Sequence, residues 1–331
     1  MPTMTTNSGR ESLMEGRSIF SDISEHGRLH MSGSDAIDLL NRLTTNDLSA
    51  FKSNSAISTV ITNGDAKVID YLLLAGDGRQ GLWCVTSNKR SSTVADWLDL
   101  YTFGEDITTE DRTENTGQLI ILKLPGASFS LAENEGFSIP ANSSSSTENP
   151  FNSVMFSANF GQYLSYHILV PNKDDLPAVK SILKAQSIVE ISTEEFENLR
   201  IHEGVPSYSK EFGEFNNPLE ARLTGSISES KGCYTGQEVI ARLQTYQKIQ
   251  RLLMSFEADK NISIGTILTT KDGHNAGVVT SAYKNGSVTR GLALVSSKYA
   301  SSDHLLTESE QNALIKLSDP NHALATEPSE L

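Results

Sequence analysis

Apolar positions follow two different rhythms along this chain, and the change between them divides it. From residue 18 to about 248, short apolar runs alternate with stretches of helical spacing, whereas beyond Arg251 only short runs broken by turn residues remain. Ser18 to Met31 is predicted as a strand and turn. Ser34-Asp35 then opens a helix with Ile37, Leu40 and Leu43 on one face, and Asp35 and Asp38 suit the positive end of its dipole. Val68 to Ala75 and Leu82 to Thr86 are predicted strands joined by Gly76-Asp77-Gly78. Asp70 is the odd residue of the first. A carboxylate in an apolar strand costs free energy unless it is hydrogen-bonded, so Asp70 either faces solvent or meets a partner.

Lys89 to Leu100 fits a helix, Leu119 to Leu124 and Tyr163 to Val170 fit strands, and Leu176 to Ala185 fits another helix. Ser192 and Glu195 have the spacing of a capping box; the helix they start passes Phe196 and Leu199 and is stopped by Gly204 and Pro206. Beyond Arg251, Asp272-Gly273 and Asn285-Gly286 tolerate the positive φ angles of tight hairpin turns. Repeated short strands there point to a small β-barrel or sandwich over residues 249–306. The whole reads as a multidomain α+β chain. Residues 1–17 form a polar tail, the serine-rich stretch 138–150 a flexible loop, and 307–331 a frayed polar end.

At 331 residues the chain exceeds one ordinary core, so two or three domains are expected. A net charge of −14 argues against a broad nucleic-acid footprint, because phosphate binding needs clustered Lys and Arg. Two cysteines, Cys84 and Cys233, exclude a disulfide scaffold and any four-cysteine zinc or iron–sulfur site held by one chain. Met1 to Ile19 carries Arg10, Glu11, Glu15 and Arg17 without an apolar core, and no later run approaches the roughly 18 apolar residues of a membrane span. A soluble, monomeric, cytoplasmic protein is expected.

The densest chemistry lies in Lys231-Gly232-Cys233-Tyr234-Thr235-Gly236-Gln237-Glu238, which continues through Val239, Ile240, Arg242 and Leu243 at helical spacing. Thr235 and Glu238 have capping-box spacing, which would place Cys233 two residues before a helix cap. Gly232 and Gly236 allow tight turns and close approach by a ligand. A thiol beside Lys231 and near the positive end of a helix ionises more easily than an ordinary one. The alternative is a small core cysteine next to a turn.

This octapeptide, with Arg200-Ile201-His202-Glu203-Gly204-Val205-Pro206 and Pro218-Leu219-Glu220, resembles the YgfZ-type folate-binding proteins, implicated in making or repairing iron–sulfur enzymes and, through them, in tRNA modification. The resemblance runs from about residue 18 to about 300. It implies the fold of the tetrahydrofolate-dependent aminomethyltransferase of the glycine cleavage system, in which three pieces surround a hole for the folate and the last is a small β-barrel. Leu43-Thr44-Thr45-Asn46-Asp47 and Lys67-Val68-Ile69-Asp70-Tyr71 match segments of that enzyme, and the match sets Asp70 against the reacting part of the folate, with Asn46 among the folate contacts. Aligned on Arg200 and Gly204, His202 takes the place of a pterin-binding glutamate, Glu203 stands beside it, and Tyr208 falls on a pterin-contacting tyrosine. A carboxylate accepts paired N–H groups of a pterin edge and a neutral imidazole does not, so either Glu203 substitutes or the pterin is held differently. Glu220 either contacts the folate or pairs with Arg222 or Lys231.

Two functions follow from the resemblance. In the first, the chain is a folate-binding accessory factor that meets iron–sulfur client or assembly proteins transiently and works through Cys233, with Lys231 favouring the thiolate and Tyr234 and Gln237 framing it. In the second, it is a tetrahydrofolate-dependent one-carbon transferase in which Asp70 orients or deprotonates a folate nitrogen. A scaffold without folate is the third reading.

Overall fold

The computed structural model describes residues 16–123, 151–302, 304–308 and 313–320. Strands β1 (Ile19–Asp22) and β2 (His26–Ser32) lead into helix α1 (Ala36–Leu43). Strands β3 (Ala56–Thr62), β4 (Val68–Gly76) and β5 (Leu82–Asn88) precede α2 (Ser91–Asp99), β6 (Thr108–Asp111) and β7 (Gly117–Lys123). Then come β8 (Val154–Phe160), β9 (Tyr163–Val170), α3 (Leu176–Ala185), β10 (Val189–Glu190) and α4 (Thr193–Glu203). A long irregular stretch joins α4 to α5 (Gln237–Thr245). The chain closes with β11 (Arg251–Ala258), β12 (Ile267–Thr269), β13 (Asn275–Asn285), β14 (Val288–Ser296), β15 (His304–Thr307) and β16 (Leu314–Ser318).

These elements build two five-stranded sheets, ordered β3-β4-β5-β2-β6 and β10-β1-β7-β9-β8, and a closed six-stranded barrel. The first sheet buries one face under α1 and α2 through Leu39, Leu40, Leu72, Leu74, Val94 and Leu98. The second does so under α3 through Leu119, Ile168, Val179 and Leu183. Their remaining faces meet through Leu73, Trp83, Val85, Phe156 and Leu169. That explains the apolar run Leu72 to Ala75 of β4: Leu72 and Leu74 face the helices while Leu73 and Ala75 face the other sheet. Strand β1 pairs antiparallel with β7 and parallel with β10, so the N-terminal strand completes a sheet built from later sequence.

The helix bounds at Leu176–Ala185 are those expected from periodicity. The Ser192–Glu195 capping box forms, and α4 ends on Gly204 at φ 74°. The C-terminal part is a barrel, and its β13–β14 hairpin turns at Asn285-Gly286 with Gly286 at φ 64°. Its boundary differs from the expectation. Strand β16 pairs with both β11 and β15 and closes the barrel beyond residue 306, so residues 314–318 are not a frayed end. Leu314, Ile315 and Leu317 were too short a run, interrupted by Lys316, to stand out. The tail before residue 16, the serine-rich stretch 138–150 and residues 321–331 lie outside the described residues. Among the described residues no helix is long and apolar enough to cross a membrane.

Candidate functional site

Asp70 is fully buried, so of its two readings the structure shows the partnered one. The ladder between β4 and β5 ends at the Leu73–Val85 pair, which leaves the chain around Asp70 and Ser87 without strand partners across that gap. The carboxylate fills this role: Oδ2 accepts the Ser87 N–H (3.0 Å) and Oδ1 accepts the Tyr71 N–H (2.9 Å). Burial pushes the Asp70 pKa up to about 6, against the opposing pull of the Ser87 and Tyr71 bonds and the Arg90 charge.

Arg90 immediately precedes α2, and no local pattern in the sequence marks it as a site residue. Its Nη2 donates to the Ile69 carbonyl (3.0 Å), and its guanidinium carbon lies 4.3 Å from the centroid of the Tyr208 ring. Tyr208 in turn meets Phe212 edge-on, with centroids 5.9 Å apart at 74°. Burial raises the Tyr208 pKa; the Arg90 charge opposes this, and Glu214 and Asp70 add to it. Three separate segments therefore bring a buried carboxylate, a guanidinium and a half-buried phenol together.

The octapeptide is organised differently from the expectation. Lys231 is buried and does not serve the thiol. Its Nζ donates to the carbonyls of Asn41 (2.6 Å), Thr44 (2.7 Å) and Asn46 (2.7 Å), around the end of α1 where a helix leaves carbonyls unpaired. Burial lowers its pKa to about 8, opposed by Asp47. The Thr235–Glu238 capping box does not form: Gly236, at φ 83°, is the cap of α5 and no side chain caps it. A Cβ on Gly236 would fall 2.7 Å from the Asn63 carbonyl oxygen, so the segment docks too closely on the β3–β4 hairpin for any other residue. Thr62 fixes the same contact by donating its hydroxyl to the Thr235 carbonyl (2.6 Å). Tyr234 packs with Ala66, Leu219 and Ile240, while Glu238 pairs with Arg242 (2.9 Å) on the open face of α5. Gln237 is the first residue of α5. Cys233 is exposed, Gly232 has nothing within 4 Å of a built Cβ, and Cys84 is buried in the first core.

The other expected folate contacts have other partners. His202 Nδ1 lies 3.2 Å from both Tyr283 Oη and Arg290 Nη1, so its ring faces the barrel. Glu203 is fully buried, and its Oε2 accepts the Gln162 N–H (3.3 Å) beneath Gly161. Glu220 pairs with Arg251 (3.0 Å) rather than with Arg222 or Lys231. Asn46 donates from Nδ2 to the Ser58 carbonyl (2.8 Å), and its Oδ1 accepts the Asp47 N–H (2.9 Å). Of the expected cofactor residues, the structure thus gathers Asp70 and Tyr208.

Residues 10–231 match the GCVT N-terminal domain. The chain belongs to that family. A chloroplastic protein of Arabidopsis thaliana with a provisional transferase name is 28% identical over 296 residues, which cover 87% of this chain and 68% of that protein. The aminomethyltransferase of Caldanaerobacter subterraneus subsp. tengcongensis is 26% identical over 294 residues, covering 84% of this chain and 77% of its own. The crystal structure of glycine cleavage system aminomethyltransferase T from Bartonella henselae matches with a TM-score of 0.71, over 95% of this chain and 89% of that one. At 14% identity that likeness shows the fold. The GCVT match ends on Lys231, the first residue of the octapeptide, whereas the structural likeness continues into the barrel.

As a member of the GCVT family the chain can be tested for its fit to a reduced folate. At Asp70 the residues suit it: a buried carboxylate held by the Tyr71 and Ser87 N–H groups and the Ser87 side chain lies beside an aromatic ring and a cation. At residues 202 and 203 it is poor, because the imidazole faces the barrel and the neighbouring carboxylate is buried against Gly161 and Gln162. A pterin edge would have to find its carboxylate elsewhere.

Proposed function

We propose that this chain binds a tetrahydrofolate-type carrier at Asp70 and acts as a one-carbon transferase of the aminomethyltransferase kind. The observation that carries the reading is the Asp70 carboxyl: buried, held by two backbone N–H groups, and with a pKa pushed up to about 6. A carboxyl tuned toward neutrality accepts and returns a proton at low cost near physiological pH, as general acid–base work requires. A bound reduced folate would supply the nitrogen atoms that carry the one-carbon unit. Asp70 would hold a proton opposite such a nitrogen, Tyr208 would present an aromatic face, and Arg90 would keep that face in place. Incubation with tetrahydrofolate and candidate aminomethyl or methyl donors tests this, with product formation expected from the wild type and lost in Asp70→Ala. Equal turnover by the variant would refute it.

One feature favours a second reading, that of an accessory factor for iron–sulfur proteins of the YgfZ type. Lys231 is tied down on one side of Cys233 and Tyr234, Thr235 and Gly236 on the other, while the thiol itself stays exposed. A thiol presented on an anchored backbone suits transient contact with a client protein. In cells lacking the protein, Cys233→Ala is expected to fail to restore iron–sulfur enzyme activity. Full restoration would remove the thiol from the account.

A further inference from the structure

We propose that Arg90 is a positioning residue of the Asp70 site: its guanidinium ties the strand carrying Asp70 to the segment carrying Tyr208 and keeps a positive charge against the carboxylate. This deepens the one-carbon-transferase reading and rests on it for the purpose that the charge serves. The geometry has three independent parts. First, Nη2 bonds the carbonyl of Ile69, the residue before Asp70, so the cation is fixed to the backbone that carries the carboxylate. Second, the guanidinium carbon sits over the Tyr208 ring, 4.3 Å from its centroid, a cation–π contact in which a planar guanidinium and a lysine ammonium differ in shape. Third, the backbone is bent to allow it. Lys89, just before Arg90, and Ser209, just after Tyr208, have φ of 58° and 63°, the left-handed region that side chains other than glycine rarely adopt. Such conformations concentrate where a side chain must be aimed.

A purely structural clamp would not need this arrangement. The Nε of Arg90 is buried and has no hydrogen-bond partner among the described residues. A stranded donor is unfavourable, and an apolar side chain could cover Tyr208 without it. What an apolar side chain lacks is the bond to the Ile69 carbonyl and the charge, and Arg90→Gln, which keeps a donor, separates the two. The titratable and charged groups facing Asp70 are Cys84 from β5, Arg90 before α2, and Tyr208 from the segment after α4, with Glu214 acting on Tyr208 in turn. Arg90 is the cation of that set, and it opposes the effect of burial on the Asp70 proton. Without it the carboxyl would stay protonated at pH values where the site needs an acceptor.

The test uses the whole chain with carbon-13 in its aspartate carboxyls and no folate. The Asp70 resonance is assigned by its loss in Asp70→Asn, then titrated in the wild type, Arg90→Met, Arg90→Gln and Arg90→Lys. Both neutral variants are expected to move the Asp70 inflection upward by about one pH unit, a roughly tenfold tighter hold on the proton, and Arg90→Lys to restore most of it. Arg90→Gln keeps a donor for the Ile69 carbonyl and serves if Arg90→Met does not fold. An inflection unmoved in the folded neutral variants would overturn the proposal, because loss of a structural clamp alone would lower stability without shifting the titration. That result would leave folate binding untouched, and absence of folate binding would leave the titration untouched.

Discussion

The Asp70 group and the octapeptide place their reactive side chains in opposite ways. At Asp70 the carboxylate is buried and the surrounding segments close over it, so its chemistry is set by desolvation opposed by the Ser87 side chain, two N–H groups and one cation. At residues 231–238 the neighbours are anchored and the reactive atom is left in water. Burial adjusts proton affinity and suits chemistry on a small enclosed ligand, whereas anchoring sets position and suits contact with a large one. The difference also assigns Lys231: placed where it would have tuned the thiol, it instead holds the loop that presents it.

Removing that anchor is the strongest way to break the contrast. Lys231→Met strands three carbonyls at the end of α1, and should lower stability in urea unfolding by about 4 kcal/mol. A loss under 1 kcal/mol would mean the three bonds do not hold the segment. The next effect is a pH dependence at the other site. Asp70 binds its proton near pH 6 when folded and near 3.8 when unfolded, so the folded state holds more protons between those values and stability falls as pH rises through them. Asp70→Asn removes this slope. The stability difference between variant and wild type should therefore change by about 2.4 kcal/mol between pH 4 and pH 7, in favour of the variant at the higher pH. Parallel pH curves for the two proteins would show that burial does not tune Asp70.

Two smaller effects sharpen the comparison. Gly236→Ala forces a Cβ onto the Asn63 carbonyl at positive φ, and should cost about 2 kcal/mol in thermal unfolding. Cys233→Ala should change stability by less than about 0.5 kcal/mol, because the side chain is exposed. The same variant should abolish rapid alkylation of the native protein, leaving Cys84 to react on unfolding. Fast labelling that persists in Cys233→Ala would place the accessible thiol at Cys84 instead.

Features decided locally were legible in the sequence, and features decided by docking were not. The Ser192–Glu195 box formed because both partners lie on one turn and nothing else competes for them. Thr235 and Glu238 have the same spacing, but the β3–β4 hairpin takes the Thr235 carbonyl and forces Gly236 into the left-handed region, so the cap lies one residue later. The partners of Lys231 precede it by 185 to 190 residues, and spacing carries no trace of them. Arg90 carries no local mark for the same reason, since Tyr208 comes from a distant segment; the barrel is legible because its turns carry their own Asn-Gly and Asp-Gly marks. Of the residues that the resemblance implies, Asp70 and Tyr208 come from distant segments and share Arg90. His202, whose fit to a pterin the sequence left open, turns its ring to Tyr283 and Arg290 of the barrel strands β13 and β14.

In the proposed function the buried carboxylate, and not the exposed thiol, forms the folate site. Calorimetric titration with tetrahydrofolate at pH 7 on the wild type, Asp70→Asn and Cys233→Ala tests it most directly. Wild type and Cys233→Ala are expected to bind alike, and Asp70→Asn at least about 100-fold more weakly, a loss of about 2.7 kcal/mol. Binding that survives in Asp70→Asn, or no binding by the wild type, would contradict it.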